Sequence, residues 1–210
     1  MYPVNIELSG RPCLVIGGGH VALRKIKALL EENAAVTAVA PEACGEIRDL
    51  ADGNHISWRQ EPYRKGTSGN YFLVITASGN KEIASWVAEE AKEKGFLYNS
   101  ADFPSMGNCH LPARLKKEGL MITVSTDGRS PAFSKYIKEQ ISRQIPDGYG
   151  FWLDRISRIR EELKDDLESA ETRERFWRKA FDKVTMELVV QGKLDEAEEC
   201  VRRGISSFRS

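Results

Sequence analysis

The chain has 210 residues, a length that suits one medium domain with an appendage better than two full domains. Its 31 basic and 31 acidic residues cancel, so no overall charge attracts nucleic acid or an anionic membrane. Every apolar run falls short of the roughly 18 residues of a membrane span, and the N-terminus lacks a signal-peptide pattern, so we expect a cytoplasmic protein with no membrane partner.

The first predicted unit is a strand, a glycine cluster and a helix. An apolar run over residues 13–16 ends in three glycines, and a helical pattern follows at once. Gly17 allows a tight turn, Gly19 lets the backbone approach a pyrophosphate, and the small Ala22 lets the helix pack close to the strand. A purely structural turn is the alternative. The strand before the cluster and the helix after it favour a nucleotide site, with phosphates at the helix N-terminus.

Strands and helices alternate through the first half of the chain. The predicted strands of one parallel sheet are residues 13–16, 35–39, 55–59, 71–76 and 96–98, with residues 6–8 as an added edge strand. The predicted helices are residues 23–32, 43–51 and 81–94. This alternation predicts an α/β fold with a Rossmann-like doubly wound parallel sheet. Only Glu42 follows the second strand closely, so the residues leave the choice between NAD and NADP open.

Three loops after predicted strands carry small polar side chains, and ligands bind beyond the carboxyl ends of such strands. Residues 76–80 suit passage close to a nucleotide, although they also suit a helix cap. Asp102 brings an acid to the same edge, with a turn aspartate as the alternative. Residues 125–131 open a helix and form a potential anion site. His110 is a minor candidate for proton transfer or metal contact.

The pattern changes near residue 112. Residues 119–124 predict a strand, residues 131–145 a helix, and the chain after residue 146 a charged helical region. Its apolar faces indicate core or dimer packing rather than a cofactor site. These faces comprise Trp152, Ile156, Ile159, Leu163 and Leu167, then Phe176, Trp177, Ala180, Phe181, Val184 and Leu188, then Leu194, Ala197, Val201 and Ile205. Scattered cysteines and three histidines favour neither disulfides nor a bound metal.

Together these motifs resemble the precorrin-2 dehydrogenases of sirohaem synthesis, including the N-terminal module of the fused sirohaem synthases. The resemblance covers residues 2–146 and rests on the glycine string with Arg24 and Lys25, on Asn99-Ser-Ala-Asp102, and on the string over residues 125–131. It implies a homodimer with three parts. These are an NAD-binding Rossmann-like domain over residues 1–112, a small α/β dimerisation and substrate segment over residues 113–146, and a C-terminal helical domain over residues 147–210.

The resemblance also implies a reaction, in which precorrin-2 is oxidised to sirohydrochlorin and a hydride passes to NAD⁺ while a base removes a proton. Asp102 matches the family's catalytic aspartate. The implied cofactor-binding residues are Gly17, Gly18, Gly19, His20, Val21, Ala22, Pro41, Thr76, Ala77, Ser78 and Asn99. The implied substrate-binding residues are Arg114, Ser125, Thr126, Gly128, Arg129 and Ser130. Some relatives also insert Fe²⁺, which would be a substrate rather than a resident metal.

Two positions depart from the family pattern. Asp127 stands where a second glycine is common, and Phe103 replaces a second acid after Asp102. A non-catalytic NAD-sensing module is the alternative function, although a sensor needs neither Asp102 nor the loop over residues 125–131. The length leaves no room for a methyltransferase module, so we expect none. Iron insertion, the choice of Asp102 or His110 as proton acceptor, and the role of the C-terminal helices are left open by the sequence.

Overall fold

The computed structural model describes residues 1–164 and 169–206. The chain divides into two compact units, Met1–Leu111 and Pro112–Ser210. Each unit is built around its own apolar residues, and the candidate cofactor residues all belong to the first. The three-part division into residues 1–112, 113–146 and 147–210 stays a prediction.

The first unit is a parallel five-stranded sheet flanked by helices. Its elements in chain order are β1 (Pro12–Ile16), α1 (His20–Leu30), β2 (Ala35–Val39), α2 (Gly45–Asp52), β3 (Ser57–Arg59), β4 (Leu73–Thr76), α3 (Lys81–Lys94) and β5 (Leu97–Ser100). The strand order β3-β2-β1-β4-β5 reverses direction at β1, so the carboxyl end of β1 is the switch point where ligands bind in open sheets. The predicted doubly wound α/β fold is confirmed.

Side chains alternate along β1 between two apolar cores. Cys13 and Val15 pack on one face with residues of α1 and α2, whereas Leu14 and Ile16 pack on the other face with residues of α3. A strand covered on both faces needs a continuous apolar run rather than alternation, and this explains the composition of residues 13–16. Both neighbours of β1 are fixed by in-register pairing with β2 and β4.

The predicted edge strand over residues 6–8 is wrong. Ile6 and Glu7 are exposed, and the chain turns instead, with the Arg11 N–H donating to the Leu8 carbonyl at 2.9 Å. The chain enters the sheet directly at β1, whose two sides are already taken by β2 and β4. The segment that precedes a central strand therefore has no adjacent strand to pair with.

The second unit opens with an antiparallel hairpin of β6 (Ala113–Lys117) and β7 (Leu120–Val124), followed by α4 (Pro131–Gln144). Positive φ angles at Glu118 (42°) and Gly119 (87°) form the two-residue turn between the strands. The strand predicted over residues 119–124 exists, but it pairs only with β6 and does not extend the parallel sheet. The loop over residues 125–131 therefore does not follow a strand of that sheet.

Within its described residues, the second unit is completed by four helices: α5 (Gly148–Glu162), α6 (Ala170–Ala180), α7 (Lys183–Val190) and α8 (Leu194–Ser206). The predicted apolar faces supply most of their core, including Trp152, Ile156, Ile159, Phe176 and Val201. The face predicted over residues 176–188 is divided between two helices, because Asp182 caps α7 by accepting the Thr185 N–H at 2.8 Å.

Leu167 and the side chain of Ile205 lie outside the described residues. None of the helices within the described ranges is long and apolar enough to span a membrane.

Candidate functional site

The bend after β1 requires glycine at its first position. Gly17 has φ +137°, and a Cβ there would lie 2.2 Å from the Ala77 carbonyl oxygen. Two backbone bonds fix this close approach, since the Gly17 N–H donates to the Val39 carbonyl at 3.0 Å and the Ala77 N–H donates to the Ile16 carbonyl at 2.8 Å. The loops after β1, β2 and β4 therefore meet at one edge of the sheet.

The next two glycines have different environments. A Cβ at Gly18 would lie 1.9 Å from the Glu42 carbonyl oxygen, so Gly18 lets the loop after β2 pack against the bend. A Cβ at Gly19 would meet no atom within 4 Å. Gly19 has an ordinary extended backbone with φ −89°, so protein packing does not explain its lack of a side chain. Open space at this position fits a backbone that a ligand approaches closely.

The N-terminus of α1 begins directly after Gly19 and has no side-chain cap. Gly19 makes no side-chain capping bond, and the first turn contains no acidic residue. His20 and Val21 are exposed there, whereas Ala22 is buried and packs in the core with the β1 residues. The N–H groups of this turn and the positive end of the helix dipole favour an anion such as a pyrophosphate.

The loop after β2 contributes backbone rather than an acid to this edge. Ala40 follows the last residue of the strand and is buried, and Pro41 and Glu42 are exposed. Glu42 approaches the glycine bend through its carbonyl oxygen. The position from which an acid would contact a ribose is therefore occupied by Ala40.

The loop after β4 combines a helix cap with a tight turn. Asn80 caps α3, its Oδ1 accepting the N–H groups of Glu82 and Ile83 at 2.9 and 3.2 Å. Thr76 is only 1% exposed, and its hydroxyl lies inside the protein. The prediction that this loop caps a helix is therefore confirmed for Asn80. A ligand at this edge would meet the backbone of Ala77 and Ser78 rather than the Thr76 hydroxyl.

Asp102 lies beside the loop after β4. Its Oδ2 accepts the Gly79 N–H at 2.7 Å, and its side chain is exposed. Gly79 has φ +67°, a left-handed conformation that presents its N–H to the carboxylate. The structure thus brings Asp102 to the edge where the glycine bend and the loop after β4 meet. Gly79 belongs to the candidate loop over residues 76–80, but its contact with Asp102 was not predicted, because it spans 23 residues.

After Thr76 and Ser100, Asn99 is the most buried polar side chain at this edge of the sheet. Its Nδ2 donates to the Cys109 carbonyl at 2.9 Å, while its Oδ1 is buried and accepts no hydrogen bond from the described part of the chain. A buried acceptor without a donor is destabilising by about 1 to 3 kcal/mol, so this oxygen suits a ligand that carries an N–H or O–H group.

Cys109, whose carbonyl accepts the Asn99 side chain, interacts electrostatically with Lys25. Burial lowers the pKa of Lys25, with a further lowering by Arg24, and the thiol of Cys109 opposes that lowering. Burial likewise raises the pKa of Cys109, opposed by Lys25. His110, the alternative base, is half-buried next to Cys109. Within the described ranges, no three His, Cys, Asp or Glu side chains are grouped to hold a metal ion.

The predicted substrate loop lies in the second unit, between β7 and α4. Ser130 caps α4 by accepting the Phe133 N–H at 3.2 Å, and the Thr126 hydroxyl donates to the Ser130 carbonyl at 3.1 Å. Asp127 and Gly128 both have positive φ, 51° and 78°, so the turn accommodates Asp127 where the family often has glycine. The Ser125 Oγ accepts the Asp127 N–H at 3.2 Å.

Two arginines belong to this part of the second unit. The Arg129 Nε donates to the Thr126 carbonyl at 3.2 Å, and the side chain is exposed. Arg114 lies on β6 opposite Thr123 and is half-buried. The loop is therefore a small turn of hydroxyl groups with cationic side chains beside it.

Comparison with known proteins matches both units. Residues 4–113 match a family model described as NAD(P)-binding, and residues 148–205 match one described as the sirohaem synthase dimerisation region. A siroheme synthase of Methylococcus capsulatus is 31% identical over 93% of this chain and 41% of that protein. Siroheme synthase 1 of Klebsiella pneumoniae is 32% identical over 95% of this chain and 42% of that protein. The chain thus spans less than half the length of these curated relatives.

A solved structure matches along nearly its full length. The structure of SirC, a precorrin-2 dehydrogenase, is 28% identical in sequence, has a TM-score of 0.78, and covers 95% of this chain and 99% of its own.

Proposed function

Because this chain belongs to the family of the precorrin-2 dehydrogenases and the N-terminal modules of the sirohaem synthases, we propose that it oxidises precorrin-2 to sirohydrochlorin with NAD⁺ as the hydride acceptor. One observation carries the proposal. The edge of the sheet that contains the uncapped N-terminus of α1 also contains Asp102, tied to the Gly79 N–H at 2.7 Å. A helix N-terminus that favours an anion and a carboxylate able to act as a base, at the switch point of the same sheet, support the proposal.

The residues at this edge fit a nicotinamide dinucleotide. The open space at Gly19 and the free N–H groups of the α1 N-terminus suit the pyrophosphate, and the buried Oδ1 of Asn99 suits a donor of the cofactor. When bound, NAD⁺ supplies the two-electron acceptor of the reaction. We assign cofactor binding to Gly17, Gly18, Gly19, His20, Val21, Ala22, Pro41, Ala77, Ser78 and Asn99, with Thr76 as the strand residue that positions Ala77 and Ser78.

Asp102 is the proton acceptor in this proposal. Oxidation of a saturated bond in the macrocycle removes a hydride and a proton, and the proton needs a base within hydrogen-bond reach. The contact with Gly79 uses one of about four acceptor positions of the carboxylate, so Asp102 keeps the capacity to accept a proton. His110 is the competing base.

The substrate is rich in carboxylates, which favours cations and hydroxyl groups as its partners. We assign substrate binding to the loop after β7 and to β6, through Arg114, Ser125, Thr126, Gly128, Arg129 and Ser130. The exposed guanidinium of Arg129 supports this assignment.

We also infer a homodimer as the working form. The hairpin of β6 and β7 with α4 contains no fully buried apolar side chain between Ala113 and Ile145, all of which the structure describes. A two-stranded hairpin is marginal without apolar cover. Phe133 and Tyr136 are 55% and 54% exposed on α4 and stack on one another, and a second copy of this chain would cover them.

A dimer interface that includes Phe133 predicts that Phe133→Asp shifts the protein toward monomer in sedimentation equilibrium. An unchanged molar mass at the same protein concentration would contradict this interface.

We place the protein in the cytoplasm, because its four cysteines are free thiols and the reaction uses a soluble dinucleotide. No nucleic-acid partner belongs to the proposal, since the net charge is zero. Iron insertion is a separate prediction, in which Fe²⁺ is a substrate and Asp102 would accept the pyrrole protons. Incubation with sirohydrochlorin and Fe²⁺ tests it, with the absorption spectrum of sirohaem as the positive result.

Turnover tests the main proposal. Purified protein with precorrin-2 and NAD⁺ should form NADH and sirohydrochlorin in equal amounts, and NADP⁺ serves as the matched control. Binding of NAD⁺ without any turnover would overturn the proposal and favour a sensing module.

A further inference from the structure

Three buried hydroxyl groups lie directly beneath the loop that carries Asp102. Thr76, Tyr98 and Ser100 are 1%, 0% and 2% exposed. The Thr76 hydroxyl donates to the Ser100 Oγ at 3.2 Å and lies 2.9 Å from the Tyr98 hydroxyl, which in turn donates to the Ala84 carbonyl of α3 at 3.1 Å. The cluster therefore connects the ends of β4 and β5 with α3.

Ser100 connects this cluster to the turn over residues 100–103, called here the Asp102 turn. The Ser100 Oγ accepts the Phe103 N–H at 3.2 Å, and Asp102 lies between these two residues in the chain. On its other side the turn is held by Asp102 itself, through the Gly79 N–H at 2.7 Å. Two hydrogen-bonded contacts thus hold the turn, one through Ser100 to β4 and one through Asp102 to the loop that follows β4.

We propose that Ser100 is a positioning residue, whose hydroxyl holds the Asp102 turn so that the carboxylate stays at the cofactor edge. This inference rests on the proposed function, because it gives Asp102 the role of base. Buried hydroxyl groups add little net stability compared with apolar side chains of similar size, so packing alone does not require three of them here. The hydroxyl of Ser100 instead fixes a backbone N–H that immediately follows the base.

The geometry predicts a specific kinetic effect. Loss of the Ser100 hydroxyl leaves the Phe103 N–H without its acceptor, and the turn then samples positions away from Gly79. A displaced base slows the chemical step without weakening cofactor binding, so Ser100→Ala should lower kcat about tenfold and leave KM for NAD⁺ within about twofold. Ser100→Thr keeps the hydroxyl and should restore kcat.

Tyr98→Phe is the matched control. It removes a hydroxyl from the same cluster, at a residue that is equally buried, but leaves the bonds of Ser100 to Thr76 and Phe103 in place. We expect kcat within about twofold of the unmodified protein for this variant, with any effect confined to the melting temperature. An equal loss of kcat in Tyr98→Phe and Ser100→Ala would overturn the proposal.

Amide hydrogen exchange provides a readout that needs neither cofactor nor turnover. In Ser100→Ala, the Gly79 and Phe103 amides should exchange about tenfold faster, whereas in Tyr98→Phe they should keep their rates. Unchanged exchange at Gly79 in Ser100→Ala, or an unchanged kcat, would overturn the positioning role. If the unmodified protein does not turn over precorrin-2, the proposed function fails while the exchange comparison still decides whether Ser100 anchors Asp102. If Ser100→Thr does not fold, the comparison of Ser100→Ala with Tyr98→Phe still tests the positioning role.

Discussion

Replacement of Asp102 by Asn separates the basicity of this side chain from its contact with the protein. The Asn Oδ1 is still able to accept the Gly79 N–H, which the carboxylate accepts at 2.7 Å, so the turn keeps its anchor. The variant loses only the ability to take up a proton, because an amide oxygen is a far weaker base than a carboxylate. General-base catalysis typically contributes 10²- to 10⁴-fold, so we expect kcat to fall by about that factor, or about 3 to 5 kcal/mol in the barrier.

The assay combines turnover with two controls on the same sample. Initial rates of NADH formation give kcat, calorimetry gives the Kd for NAD⁺, and urea unfolding gives the stability. Because Asp102 is exposed and Asn preserves the hydrogen bond, the free energy of unfolding should change by less than about 0.5 kcal/mol. Asp102→Ala removes the contact with Gly79 as well, and should lose about 1 kcal/mol more.

His110→Gln is the matched comparison, since His110 is the alternative base that the sequence leaves open. We expect it to retain most of kcat. If Asp102→Asn turns over within about twofold of the unmodified protein, Asp102 is not the base. A large loss confined to His110→Gln would then assign that role to His110.

Three further predictions concern the cofactor cradle, the stability of the first unit and its thiols. Gly19→Ala should keep the melting temperature, because its Cβ meets no atom within 4 Å, yet raise the Kd for NAD⁺ about tenfold or more by obstructing the pyrophosphate; normal affinity would contradict the cradle. Glu90→Ala should lower the free energy of unfolding by about 3 kcal/mol, because this carboxylate, 4% exposed, accepts two backbone N–H groups and a tyrosine hydroxyl. Glu89→Ala removes an exposed ion pair and should change the free energy of unfolding by less than about 1 kcal/mol. Equal losses for Glu89→Ala and Glu90→Ala in urea unfolding would refute this difference between an exposed and a buried carboxylate. Burial raises the pKa of Cys13 to about 11 and leaves its side chain 0% exposed, so its thiol should resist alkylation until the protein unfolds, whereas half-buried Cys44 reacts first; mass spectrometry of the labelled peptides checks the order.

The strand and glycine bend at the start of the fold were predictable because their signals are local. Residues 13–16 are buried on both faces and read as a continuous apolar run. Gly17 needs a positive φ and a close approach to Ala77, both of which only glycine allows. The helix that follows carries its apolar spacing in the same short stretch. The sequence signals of these features are each carried by a short stretch of the chain, although the approach of Gly17 to Ala77 is itself a long-range contact.

The contacts around Asp102 could not be predicted, because they depend on strand register. Thr76 lies opposite Ser100 in the pairing of β4 with β5, and this register brings the two hydroxyl groups together. The Gly79 N–H reaches Asp102 across the same pair of strands. A sequence shows polar residues at the ends of strands, but it does not show which of them become neighbours.

The hairpin of the second unit was half missed for a different reason. Three of the five residues of β6 are charged, and its alternation of apolar and charged residues covers only residues 113–116, so only β7 was predicted. The Glu118-Gly119 turn was the available signal, since a two-residue turn ending in glycine favours an antiparallel pair. An antiparallel partner for β7 would also have indicated that β7 does not belong to the parallel sheet.

Mapping NAD⁺ onto the backbone amides tests the central claim most directly. Titration of the labelled protein with NAD⁺, followed by amide NMR, should shift the signals of Gly19, His20 and Val21 at the N-terminus of α1 together with that of Gly79, which marks the position of Asp102. Shifts confined to α1, with Gly79 and Asp102 unaffected, or shifts located elsewhere in the protein, would contradict a shared edge for cofactor and base.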